Sequence, residues 1–179
     1  MKNNRFGIEI EFSKIHEVDP SIYGYDGEDI VYYHHPLFSI GCDAPNFEVR
    51  STILNNVGQA KQIVDAIKQL GCYISGNNHF CGLHVHIDRG PINKEILNNK
   101  IKIFMDKNYE KIMEEFKPLK SRLQFCSGKD GFDPNAMIFI HNLYNTLEFR
   151  IFDSIIDEEY VAICIDRSKQ WAGEICNGY

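Results

Sequence analysis

Strict alternation of apolar and polar residues over short segments constrains this chain more than any other feature. Residues 5–12 read RFGIEIEF, Asn46–Ser51 reads NFEVRS, 80–89 read FCGLHVHIDR, 137–141 read MIFIH, and Thr146–Asp153 reads TLEFRIFD. Each is short, rich in β-branched or aromatic residues and mostly of period two, the pattern of a strand with one face in a core. Residues 37–40 predict a further strand.

Helical stripes lie between them. Val57, Ala60, Ile63, Val64, Ile67 and Leu70 recur at helical spacing, with Gly71 placed to end the helix. Ile96, Leu97, Ile101, Phe104, Met105, Ile112, Met113 and Phe116 mark a second, stopped by Pro118. A third begins at Asp157, an N-cap residue followed by Glu158 and Glu159, and runs through Val161, Cys164, Ile165, Ser168, Trp171 and Ile175. Cleanly alternating strands with helices between them predict an α+β fold, a largely antiparallel sheet covered by helices on one face. No repeat, low-complexity tract or linker breaks the 179 residues, so one domain over 1–179 is expected.

The other face of that sheet carries the chemistry. Residues two apart on a strand share a face. Phe6, Ile8, Ile10 and Phe12 therefore oppose Glu9 and Glu11, and Phe47 and Val49 oppose Glu48 and Arg50. Likewise Leu83, Val85 and Ile87 oppose His84, His86 and Asp88, and Leu147, Phe149 and Ile151 oppose Glu148 and Arg150. Any one of these motifs alone reads as a solvated strand face or an ion pair. Together they do not. A solvated face mixes Thr, Lys and Ser with charges of both signs, whereas this one repeats carboxylate and imidazole. Like charges facing one another across strands repel unless a cation sits between them. A carboxylate-dominated set with few imidazoles suits Mg²⁺ or Mn²⁺ better than zinc, and Mg²⁺ commonly shares its shell with substrate phosphates. Arg50 and Arg150, interleaved with the acids, are natural phosphate partners. No Walker-type or dinucleotide-type glycine loop is present, and Ser127-Gly128-Lys129-Asp130-Gly131 reads as a turn. A bound nucleotide would be held by metals and arginines on the sheet.

Charge excludes other classes. With 19 basic and 25 acidic residues the net charge is −6, against broad phosphate neutralisation of the kind a nucleic-acid binder uses. No run approaches the roughly 20 apolar residues of a membrane helix, and the first residues lack the apolar centre of a signal peptide. The six cysteines are scattered without a C-x-x-C pair, so reduced thiols and a cytoplasmic location are expected.

The order F-G-I-E-I-E-F, then D-x-x-x-x-E-V-x-S from Asp43 to Ser51, then G-L-H-V-H, then L-E-F-R, spanning 6–152, resembles the amidoligase family. That family belongs to the carboxylate–amine ligases, with glutamine synthetase and glutamate–cysteine ligase. The resemblance implies an antiparallel sheet forming a metal-lined trough. It implies that Glu11 and Glu48 hold one Mg²⁺ or Mn²⁺ ion, while Glu9, His84 and Glu148 hold another. His86 would contact the phosphates of ATP, Arg150 the transferred phosphoryl group, and Arg122 a substrate or phosphate. Pro45, where the family carries Asp-x-Ser, is a departure, and the chain is short for the group.

Such a site suits ATP-dependent amide formation from a small-molecule or peptide carboxylate and an amine, through an acyl phosphate. Arg50 joins Arg150 as a catalytic candidate, and Asp88 and the Asp43 region are candidate bases. Two other readings remain open at this level. One is a metal-dependent hydrolase. The other is a non-catalytic peptide or nucleotide binder, for which Tyr23, Tyr25, Tyr32, Tyr33, His34 and His35 offer an aromatic surface or merely a loop packed on the sheet. A homo-oligomer is compatible with either.

Overall fold

The structure, a computed structural model, describes residues 5–13, 31–43, 46–73, 81–118, 127–128, 131–132, 134–141 and 144–178. Among the described residues nine strands and three helices follow in chain order: β1 (Phe6–Phe12), β2 (Val31–His35), β3 (Phe38–Asp43), β4 (Asn46–Ser51), α1 (Val57–Gln69), β5 (Gly82–Asp88), α2 (Lys94–Phe116), β6 (Ser127–Gly128), β7 (Gly131–Phe132), β8 (Ile138–His141), β9 (Thr146–Asp153) and α3 (Glu158–Asn177). A 3-10 turn at Pro134–Met137 leads into β8. Seven strands form one antiparallel sheet in the order β2-β3-β4-β1-β5-β9-β8, and β6 and β7 pair separately. The fold is α+β.

Alternation becomes layering in β1. Phe6, Ile8, Ile10 and Phe12 are buried in the main apolar cluster, while Gly7, Glu9 and Glu11 between them are only partly covered. The same cluster takes Ala60, Ile63, Val64 and Ile67 from α1, Leu97, Ile101, Phe104 and Met105 from α2, and Val161, Ile165, Trp171 and Ile175 from α3. The helices thus cover the face opposite the acids. Trp171 is the hub. Its ring stacks on Phe152 at 6.1 Å between centroids and 9° between planes, and meets Phe149, Phe116 and Phe104 within 6.3 Å.

Helix ends follow local chemistry. Asn56 caps α1 by accepting the Gln59 N–H, and Gly71 beyond it adopts φ 71°, open to glycine at no steric cost. Asn93 caps α2, and Pro118 stands just past its C-cap Lys117. Asp157 caps α3 as its sequence indicates, accepting from the N–H groups of Glu159 and Tyr160. Among the described residues Cys72, Cys81, Cys164 and Cys176 are free and buried, and burial pushes the Cys72 thiol up to about 12.

Two features depart from the alternation pattern. Residues 31–35 form β2 at one edge of the sheet, so the C-terminal part of the tyrosine-rich segment is strand, with Tyr33 and His34 exposed. Tyr23 and Tyr25 lie outside the described residues. In β9 the register shifts: Val85 pairs with Phe149 but Leu83 with Phe152, leaving Arg150 and Ile151 as an extra-residue bulge. The bulge brings Phe152 onto the helix side beneath Trp171.

Candidate metal centre

The sheet order sets the site. β4, β1, β5 and β9 are consecutive neighbours, so their polar residues fall into rows across four strands. Glu9 is opposite His84 on β5 and Arg50 on β4, Glu11 is opposite Glu48, and His86 is opposite Glu148. Four of the titratable residues are buried although they lie away from the helices: His84 at 3 % exposed, Glu48 at 5 %, and His86 and Glu148 at 6 % each. Buried ionisable groups persist only when paired or when they hold a cation.

Glu9 is the centre. Its Oε2 lies 3.2 Å from His84 Nδ1 and its Oε1 lies 3.4 Å from His86 Nε2. His84 Nδ1 is also 3.4 Å from Glu148 Oε1, and His84 Nε2 is 3.9 Å from Glu11 Oε1. Burial by itself would raise the Glu9 carboxyl, but hydrogen bonds and positive charge from His84 and His86 outweigh it and hold it far below the ordinary carboxylate range. For His86 burial works to lower the imidazole, and the facing charges of Glu9, Glu148 and Glu48 more than reverse it, so its value is raised. His86 Nδ1 meets Thr146 Oγ1 at 3.3 Å, while its buried Nε2 faces Glu9 Oε1 at 3.4 Å with no closer partner among the described residues.

Two groups of three place ligand atoms within 4.8 Å of one another: Glu9 with His86 and Glu148, and Glu9 with Glu48 and His84. Glu9 is common to both. These groupings differ from the resemblance-implied ones, in which Glu48 accompanies Glu11 and His86 faces phosphates. Glu11 is brought to the same face, but its Oε2 accepts the Gly82 N–H at 2.6 Å and it joins neither group. The two arginines flank the acids: Arg50 Nε bonds Glu48 Oε2 on its own strand, and Arg150 Nε is 3.2 Å from Glu148 Oε1. Asp88 stands farther along β5, where its Oδ1 accepts the Gly90 N–H at 2.9 Å and its Oδ2 is 4.0 Å from Arg5. Arg122 lies outside the described residues, as do Ala44 and Pro45; Asp43 ends β3.

A cleft of about 480 Å³ opens beside Glu9 and His86 toward Asp88. Its lining includes residues the alternation pattern did not single out: Gly7, Ser51, Tyr144 and Thr146. Gly7 had a signal, since a glycine inside a strand often marks close approach of a ligand. Tyr144 had none, because it becomes relevant only through its stack on His141, at 4.4 Å and 17°, beside His86.

Fold and site together define an α+β protein whose antiparallel sheet carries a buried His/Glu cluster suited to a divalent cation. The family model described as "Putative amidoligase enzyme" matches residues 19–137, more than half of the chain, and the protein belongs to that family. The matched span contains Glu48, Arg50, His84, His86 and Asp88; Glu9, Glu11, Glu148 and Arg150 lie outside it, on strands that flank β5. No curated protein matches the chain. No described helix is long and apolar enough to cross a membrane.

Proposed function

We propose that this protein is an ATP-dependent carboxylate–amine ligase that forms an amide bond through an acyl phosphate. The observation that carries the reading is the buried cluster itself, three carboxylates and two imidazoles drawn together around Glu9 with a guanidinium on each side. Family membership supports the same class.

The donor set fits hard divalent cations. Glu9, His86 and Glu148 would hold one Mg²⁺ or Mn²⁺, and Glu9, Glu48 and His84 a second, with Glu11 at the margin. His86 Nε2, buried and held by nothing nearer than Glu9 Oε1 at 3.4 Å, has room for a closer ligand. When bound, such ions neutralise phosphate charge and orient the phosphates of ATP.

The chain's own groups would do the rest. Arg150 and Arg50, each anchored through Nε on the glutamate two residues before it, would offer planar guanidinium forks to phosphate oxygens and stabilise charge on the γ-phosphoryl as it moves. An oxygen of the substrate carboxylate attacks that phosphorus, and the bond to the ADP oxygen breaks. The amine nitrogen then attacks the acyl carbon of the acyl phosphate, the bond from that carbon to the bridging oxygen breaks, and orthophosphate leaves carrying that oxygen. The nitrogen sheds a proton on the way, for which Asp88, carboxylate-bearing and lining the cleft, is the acceptor.

The test is turnover of ATP with pools of amino acids, polyamines and short peptides while the nucleotide product is identified. ADP with orthophosphate, dependent on both a carboxylate and an amine and greatly reduced in Arg150→Lys, is expected. AMP with pyrophosphate, or amide cleavage without ATP, would overturn the reading.

A further inference from the structure

Gly7 is a glycine without a backbone reason. It is the second residue of β1, the central strand of the seven, opposite His86 on β5, and its φ lies outside the left-handed region. A Cβ built there would meet Ser51 Oγ at 3.6 Å and the His86 Cβ at 3.8 Å, ordinary contacts that require nothing to move. Glycine weakens a strand relative to alanine because it loses more conformational freedom and packs no side chain. A strand interior that tolerates a Cβ but lacks one leaves a space open.

That space is the floor of the cleft. Gly7 precedes Glu9 by two residues and so shares its face. On the β4 side the ladder reaches its last partners at Glu9 and Arg50; beyond them Ser51 Oγ accepts the Ile8 N–H at 2.8 Å, and the chain returns to β1 only at Leu54, bonded to Phe6. Residues 52–53 therefore arch away and open the cleft on that side. On the other side stand His86 and the exposed ring of Tyr144, which is stacked on His141. Arg5 and Arg50 line the same cleft, which runs directly into the Glu9 cluster. An open floor in a cleft lined by two arginines, leading to a cluster able to hold a cation and walled by an aromatic ring, has the chemistry of a seat for a nucleotide's polyphosphate.

We infer that Gly7 is the size-determining residue of this cleft, its missing side chain letting the phosphate chain of a nucleoside triphosphate lie across β1 against the backbone beside Glu9. The inference rests on the ligase reading for the identity of the nucleotide, but the role of Gly7 is separable from it. Ala at this position would crowd the chain, and Val would fill the floor.

The experiment compares wild type, Gly7→Ala and Gly7→Val in three measurements: thermal unfolding, Mn²⁺ binding in the absence of nucleotide, and binding of the non-hydrolysable ATP analogue AMP-PNP with Mg²⁺. Gly7→Ala should unfold at a temperature no lower than wild type, and both variants should bind Mn²⁺ as wild type does. AMP-PNP affinity should fall in the order Gly, Ala, Val, the last by at least about tenfold, equivalent to about 1.4 kcal/mol. Equal AMP-PNP affinity in all three proteins would overturn the role of Gly7 while leaving the ligase reading intact. A wild type that binds no AMP-PNP would overturn the nucleotide reading and this inference with it. A lowered unfolding temperature in Gly7→Ala would also overturn it, since the glycine would then serve the backbone.

Discussion

Glu9→Gln separates the centre of the cluster from its margin. The substitution keeps the shape of the side chain, and an amide oxygen can still accept from His84 Nδ1, now 3.2 Å from Oε2. What disappears is one anionic ligand from each of the two three-residue groups, because Glu9 belongs to both. Each group then keeps a single carboxylate, and divalent ions favour sites by the charge and number of their oxygens. Loss of a mere outer-shell partner typically costs roughly 10–100-fold in metal affinity. Removing a direct ligand should therefore cost at least about 100-fold, or about 2.7 kcal/mol. Glu11→Gln should do much less. Its carboxylate is engaged with the Gly82 N–H, a bond the amide oxygen can also make, and the Glu9–His86–Glu148 group stays whole. A loss of about tenfold, the low end for an outer-shell partner, is expected there. Mn²⁺ titration followed by electron paramagnetic resonance measures both, with circular dichroism to verify the fold. A loss in Glu11→Gln equal to or greater than that in Glu9→Gln would refute the grouping around Glu9.

Two further outcomes follow from the same structure. Trp171→Ala removes the ring that packs on Phe104, Phe116, Phe149 and Phe152 and should cost about 3–5 kcal/mol in denaturant unfolding; a cost under about 1 kcal/mol would mean that the helix layer is not held through this hub. In the metal-free protein, Glu9 is depressed from its usual 4.5, so its contribution is present above that value and lost as pH falls through the lower folded one. His86 is raised from 6.5, so its contribution is full below that value and lost as pH rises through the higher folded one. Metal-free wild type should accordingly lose unfolding temperature on the alkaline side of the imidazole range more steeply than His86→Gln; identical slopes would contradict the assigned charge coupling.

Much of this architecture is legible in the alternation of a few strands. NFEVRS and TLEFRIFD coincide with β4 and β9 to the residue, because both are rich in the β-branched and aromatic residues a strand favours. Asp157 is legible as a cap because its carboxylate has one obvious use at that place. The shared polar face of Glu9, Glu48, His84, His86 and Glu148 follows from period two alone. What period two does not contain is register. It places residues on a face but not opposite one another, so it cannot tell whether His84 or His86 accompanies Glu48. That choice is made by strand order and by the non-local registers of β4 on β1 and of β1 on β5, while the register of β5 on β9 puts His86 opposite Glu148. β2 was hidden for a different reason: VYYHH carries no clean alternation, and an edge strand with exposed Tyr33 and His34 needs none. The cleft was hidden because it forms where residues 52–53 leave the sheet, an event of tertiary geometry, although Gly7 marked its floor in the sequence.

Anomalous diffraction from crystals soaked in Mn²⁺ tests the central claim most directly. The account predicts density beside Glu9, at the Glu9–His86–Glu148 group, the Glu9–Glu48–His84 group or both, and its loss in Glu9→Gln crystals treated in the same way. A well-soaked wild-type crystal with no anomalous peak within ligand distance of Glu9, or with the same peak retained in Glu9→Gln, would contradict it.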